Sequence, residues 1–219
     1  MPRQFRKQKP YIVVFCEGES EQVYTDFLRD KFKDVAVIRR PKATGLFEEA
    51  QDRFNKDPKF RNNAEVTDEI WFFFDVETKD IASWNKRYRI MKFLRRQRKK
   101  PNIRVRLLMT SGCIEYWLML HYKMTAPPLQ TKAEKEQMIS ELKRLEPGYV
   151  KGDKKATEKI AEHYPTAVTN AAKTMKNLLP EGLPGLEDTD ERNEWLCKNC
   201  KTFSNVHEAI NFLSGLRIS

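Results

Sequence analysis

Apolar residues recur along this chain in two distinct patterns, and the change from one to the other divides it. In the first half, short continuous apolar runs alternate with stretches of helical spacing. Tyr11-Ile12-Val13-Val14-Phe15-Cys16 has the character of a strand, and Val23, Tyr24, Phe27 and Leu28 after it fall on one side of a helix near 20–32. Val35-Ala36-Val37-Ile38 reads as a short second strand, followed by a helical stretch at 46–54 that Asp57-Pro58 interrupts. A third strand is expected near 69–74, a helix near 82–97 and a fourth strand at 103–109. Strands alternating with helices of this length imply right-handed crossovers and an α/β fold, a Rossmann-like, mostly parallel four-stranded sheet flanked by helices.

The second half has no strand pattern. Thr131-Lys132-Ala133-Glu134 is a capping box opening a helix with Met138, Leu142 and Leu145 on its apolar side, ended at Pro147-Gly148. Residues 155–163 and 166–179 read as further helices, 180–190 as a turn-rich acidic linker, and 205–217 as a last helix with Val206, Ile210, Leu213 and Leu216 on one face. The expected organisation is an α/β domain over 1–125 and a helical extension over 126–219 packing on it.

Charge adds a partner to this picture. The 219 residues carry 41 basic and 31 acidic side chains, a formal charge of +10, which suits a polyanion such as DNA or RNA. No stretch approaches the ~20 apolar residues of a membrane helix. Met1-Pro2-Arg3-Gln4-Phe5-Arg6-Lys7 has no apolar signal region, and Cys16 and Cys113 lie inside apolar runs as packed thiols, so the expectation is cytoplasmic.

Against this basic background, acids stand where strands end. Glu17-Gly18-Glu19-Ser20-Glu21 joins the first strand to the first helix, and Asp75-Val76-Glu77 ends the third. Open α/β sheets keep ligands at that edge. Carboxylates delivered there by two strands suit a hard divalent cation, Mg²⁺ or Mn²⁺, with Glu17, Glu21, Asp75 and Glu77 as candidate ligands. Asp75 and Glu77, two residues apart, share a face if the strand persists. Such a cation neutralises phosphoryl oxygens, which is most of what phosphodiester hydrolysis asks of a protein.

Strand–Glu-Gly-x-x-Glu–helix followed by strand–Asp-x-Asp/Glu resembles the Toprim fold of topoisomerases, primases and OLD-type nucleases. Cys113-Ile114-Glu115-Tyr116-Trp117-Leu118-Met119-Leu120-His121, Gly148-Tyr149-Val150-Lys151 and Ser204-Asn205-Val206-His207 make the resemblance closest to the RloB-like family. That resemblance implies a Mg²⁺-dependent nuclease of antiviral, restriction-associated defence. In it Glu17 is the proton-transfer or metal residue, and Asp75 and Glu77 hold the metal. It also implies an AAA-type ATPase partner encoded nearby; a homo-oligomer is compatible with it. The alternative is a catalytically weak module that binds nucleic acid or senses phage within such a complex. The chain departs from the family pattern in having Glu77 where Asp is usual and Ser111-Gly112 where Asn-Pro is expected.

Three further features need placing. Glu115 lies in a helix apolar all round, so it must be paired, protonated or bound to a cation, and it is a second catalytic candidate. His121, on another face, reads as structural. Arg89, Lys92, Arg95 and Arg96 on helix 82–97 are candidate phosphate contacts, joined by Lys151. Cys197-Lys198-Asn199-Cys200 has zinc-ligand spacing, but with His207 it lacks a fourth ligand.

Overall fold

The computed structural model describes residues 8–199 and 201–218. It is an α/β fold around a four-stranded, wholly parallel sheet of β1 (Tyr11–Cys16), β2 (Val37–Arg39), β3 (Thr67–Val76) and β4 (Arg104–Ser111), in the order β2-β1-β3-β4. After β1 the chain steps outward to β2 through α1 (Glu19–Lys31). It then returns through α2 (Phe47–Lys56) and α3 (Pro58–Asn63) to β3, on the other side of β1. The direction of winding therefore reverses between β1 and β3. In a sheet of this kind that switch point opens a crevice at the carboxyl ends of the strands.

Alternation along each strand sends side chains to two cores. Ile12, Val14, Trp71, Phe73 and Leu108 face α1 and the later helices α5 (Ile114–Met119), α6 (Lys132–Leu145), α7 (Lys154–Ala161), α8 (Tyr164–Lys176) and α10 (His207–Ile218). Val13, Phe15, Phe72, Phe74 and Met109 face α2, α4 (Trp84–Arg95) and α9 (Asp190–Lys198). From Ile70 to Phe74 every side chain of β3 is fully buried. A central strand covered on both faces has that unbroken apolar run.

The helical extension thus completes the core beneath the sheet. Its grip on the sheet edge comes from 201–206. The Asn205 side chain accepts from the Met109 amide at 2.6 Å and donates to the Leu107 carbonyl at 2.9 Å, standing in for the missing neighbour strand of β4. Ser111 completes the seam, its hydroxyl donating to the Lys201 carbonyl at 2.6 Å and accepting from the Phe203 amide at 2.9 Å. Gly112 follows with φ +72°, where an added Cβ would lie 2.4 Å from the Leu129 carbonyl oxygen, so only glycine fits that turn.

Two local expectations need correction. The segment read as a linker up to residue 190 gives way at once to α9, whose Thr189 cap and Asp190-Glu191 first turn are ordinary helix-start signals. Leu145 is 45% exposed instead of completing the α6 stripe, although the Thr131–Glu134 capping box is present.

Candidate functional site

The β1–α1 turn builds the first part of the site. The Glu17 amide continues the ladder to the Phe73 carbonyl, and its carboxylate accepts the Asp75 amide at 2.9 Å, which locks together the ends of the two switch-point strands. Glu17 itself remains exposed. Gly18 caps α1 in an extended conformation open to any residue, so space explains the glycine. A Cβ there would lie 2.9 Å from Glu21 Oε2. The Glu-Gly-x-x-Glu spacing therefore folds the buried Glu21 carboxylate back over Gly18 at the positive end of α1.

The second part comes from α5 and the loop before α7. Glu115 is wholly buried in the first turn of α5. Its Oε1 accepts the Tyr149 hydroxyl at 3.0 Å, and its Oε2 lies 3.9 Å from Lys151 Nζ. Gly152, at φ +80°, turns the loop against Glu19, and Asp153 then caps α7, so Tyr149 and Lys151 are presented over the sheet edge from a fixed loop.

These groups share one electrostatic neighbourhood. Burial, together with the charges of Glu17 and Glu115, raises the Glu21 carboxyl to about 7. Burial and then Glu21, Glu17 and Glu115 push Asp75 well above the carboxylate range, with Lys151 opposing. Lys151 is in turn held above its usual value, because Glu115, Asp75 and Glu21 outweigh its own partial burial. Ionised together, these acids would carry more negative charge than one lysine offsets.

Two of its oxygens, Asp75 Oδ1 and Glu115 Oε2, are buried without a hydrogen-bond partner, as is the hydroxyl of Ser20 in α1. Orphaned carboxylate oxygens in a group of acids are what a hard cation would satisfy, and an all-oxygen donor set suits Mg²⁺ or Mn²⁺. The residues fit such an ion in chemistry. Among the described residues, however, no three acidic, histidine or cysteine side chains are already drawn together in ligand geometry.

Glu77 is engaged by other groups. Its side chain caps the 3₁₀ turn Thr78–Ser83 in a capping box with Asp80 and is ion-paired with Lys135 of α6. The strand ends at Val76, so the alternation that would have kept Glu77 beside Asp75 stops one residue short. The basic helix is also partly spoken for. Arg95 makes a bidentate pair with Asp190 at 2.6 and 2.7 Å, and Lys92 lies over the Tyr88 ring. Among the described residues Arg89 reaches only the Asn85 carbonyl within its own helix, and Arg96 is exposed just past the end of α4.

His121 is structural, as its face suggested. Its ring nitrogens lie 3.1 Å from the Tyr24 hydroxyl and 2.9 Å from the Trp117 carbonyl, and burial lowers it to about 3, so it stays neutral. The Cys197 thiol is buried and donates to the Met109 sulfur at 3.5 Å, while Cys200 lies outside the described residues. Among the described residues no helix is long and apolar enough to cross a membrane. What residue-by-residue reading of the sequence missed is the part of Tyr149; a tyrosine beside Gly148 and Lys151 gives no local sign that it will bind an acid 34 residues away.

No curated protein and no solved structure matches the chain. The family model described as RloB-like protein matches residues 12–213, from the first strand to the last helix, and the chain belongs to the RloB-like family.

Proposed function

We propose that this protein is a Mg²⁺- or Mn²⁺-dependent nuclease of Toprim type that hydrolyses phosphodiester bonds in DNA or RNA. The observation that carries the reading is the pair of orphaned buried oxygens, Asp75 Oδ1 and Glu115 Oε2, in a cluster of acids at the switch point where Glu21 and Asp75 are both raised. Asp75, Glu21 and Glu115 would hold the ion, with Glu17 at the exposed rim as the group that accepts or returns a proton. When bound, the cation supplies charge neutralisation at phosphoryl oxygens and activation of water. The chain's own part is to fix the acids on rigid strand and helix ends and to hold Lys151 where a phosphate approaches.

Glu77 is not needed for this set, since its cap and its pairing with Lys135 account for it. Arg89, Lys92 and Arg96 remain the part of the α4 surface suited to a phosphate backbone, while Arg95 braces α9. The resemblance to RloB-like proteins supports a role in antiviral defence beside an AAA-type ATPase.

A second reading, a nucleic-acid-binding module with little catalysis, is favoured by the lack of ready-made ligand geometry among the described residues. Nuclease assays with Mg²⁺ or Mn²⁺ separate the two. Asp75→Asn and Glu17→Gln should abolish cleavage and keep the fold. Cleavage at the wild-type rate in both variants would refute the proposal.

A further inference from the structure

On the sheet face opposite Glu115, between the β2 edge and α2–α3, lies a cavity of about 820 Å³. That is within the roughly 300–1,000 Å³ of small-molecule sites. Its walls combine two kinds of group. Tyr11 and Phe60 are half-buried aromatic rings, with the Phe60 ring backed by Phe15 and Phe54 and the Arg53 guanidinium 5.4 Å from its centre. Around them stand basic side chains, of which some are already neutralised. Arg40 is bidentate to Asp26 at 2.6 and 2.9 Å, and Arg53 pairs with Glu49 at 2.6 Å and lies 3.7 Å from Asp57.

The remaining three cations, Arg39, Lys42 and Lys59, have no acidic partner among the described residues. Asp57, the acid on the cavity wall, is taken up by Arg53 and by capping the Lys59 amide at 2.9 Å. The cavity thus carries three uncompensated positive charges beside aromatic surface. Its rim is also fixed to the acid cluster's own turn. The Lys42 carbonyl accepts from the Gln22 side chain at 3.1 Å, and the Gly45 amide donates to the Cys16 carbonyl at 2.9 Å, one residue before Glu17.

We propose that this cavity binds a nucleotide, with its phosphate held by Arg39, Lys42 and Lys59 and its base against Tyr11 and Phe60. Cations without carboxylate partners select the phosphate, and an aromatic wall selects a flat base over an inorganic anion. The nucleotide is either free or one unit of a strand that also passes the acid cluster. The proposal stands without the metal, since none of its residues belongs to that cluster.

Calorimetry on the full chain in EDTA tests it, with AMP, inorganic phosphate and a 5′-phosphorylated tetranucleotide as probes. Saturable binding of AMP or the tetranucleotide is expected, retained in Asp75→Asn. In a variant carrying Arg39→Ala, Lys42→Ala and Lys59→Ala, whose side chains are exposed, affinity should fall at least about tenfold with an unchanged melting temperature. Phe60→Leu should weaken AMP and spare inorganic phosphate. Binding of AMP as tight as the tetranucleotide identifies a free-nucleotide site, and tetranucleotide binding alone identifies a strand subsite. Absence of saturable binding, phosphate bound as tightly as AMP, or undiminished affinity in the triple variant would each overturn the assignment.

Discussion

Under α9 and α10, Arg192 is fully buried, yet Glu208 receives it through both oxygens at 2.5 and 3.0 Å and the Leu186 carbonyl at 2.6 Å. At the carboxyl edge of the sheet Glu115 is equally buried and has one hydroxyl donor and a lysine 3.9 Å away. The first region neutralises its charges. Asp188, although burial opposes it, is held below the carboxylate range by Asn193, Arg192 and Arg106; Glu208 is raised, because burial there outweighs even Arg192. Buried Glu69 is paired likewise, with Arg106 at 3.1 Å and the Trp71 indole at 2.6 Å. The second region gathers like charges and leaves Asp75 and Glu115 each an unmet oxygen. On the proposed function, buried charge in this molecule is a structural device where it is matched and a binding device where it is not.

Truncating one partner in each region should give opposite results. Arg192→Met strands Glu208, while Asp188 keeps Asn193, Arg104 and Arg106, and is expected to cost about 3–5 kcal/mol in urea denaturation. Glu115→Gln releases only a largely exposed Lys151, can still accept the Tyr149 hydroxyl, and should leave stability unchanged or higher while ending activity. If Arg192→Met were neutral and Glu115→Gln destabilising, the contrast between the regions would collapse.

A smaller effect follows from pH. The Glu21 carboxyl sits at about 7 in the fold against 4.5 when unconstrained, so the fold favours its protonated form. Its contribution is complete below about 4.5 and is lost as pH rises through about 7. The metal-free protein should therefore melt several degrees lower at pH 8 than at pH 5, with Glu21→Gln flattening the profile and saturating Mg²⁺ restoring stability at pH 8. A profile that rises over the same interval, or one unaffected by Glu21→Gln, would break the account of that carboxyl.

The smallest perturbation is Gly18→Ala. The new methyl meets only the far end of the Glu21 side chain, so stability should change by less than about 1 kcal/mol. Displacing that carboxylate should nevertheless weaken metal binding, readable as a right-shifted Mn²⁺ titration. Wild-type metal affinity in this variant would mean that Glu21 is not a ligand.

How far the sequence reveals this arrangement depends on the range of the interactions concerned. The turn Glu17–Glu21, the buried β3 and the apolar α5 around Glu115 are local patterns, and each is visible in the chain. So is the structural nature of His121. Glu77 is different, because its fate depends on a 3₁₀ turn beginning at the next residue and on Lys135, 58 positions away. Arg95 likewise looks free for phosphate until Asp190 arrives from 95 positions away. The seam at Ser204-Asn205 has no strand periodicity, since a single backbone bridge and a side-chain amide share the pairing there. Non-local pairing, invisible to periodicity, decides which charged residues remain available.

Mn²⁺ titration followed by electron paramagnetic resonance, at pH 8 and with a phosphodiester oligonucleotide present, tests the central assignment most directly. The account predicts saturable binding in the wild type, loss in Asp75→Asn and in Glu115→Gln, and retention in Glu77→Gln. Retention in Asp75→Asn together with loss in Glu77→Gln would contradict it.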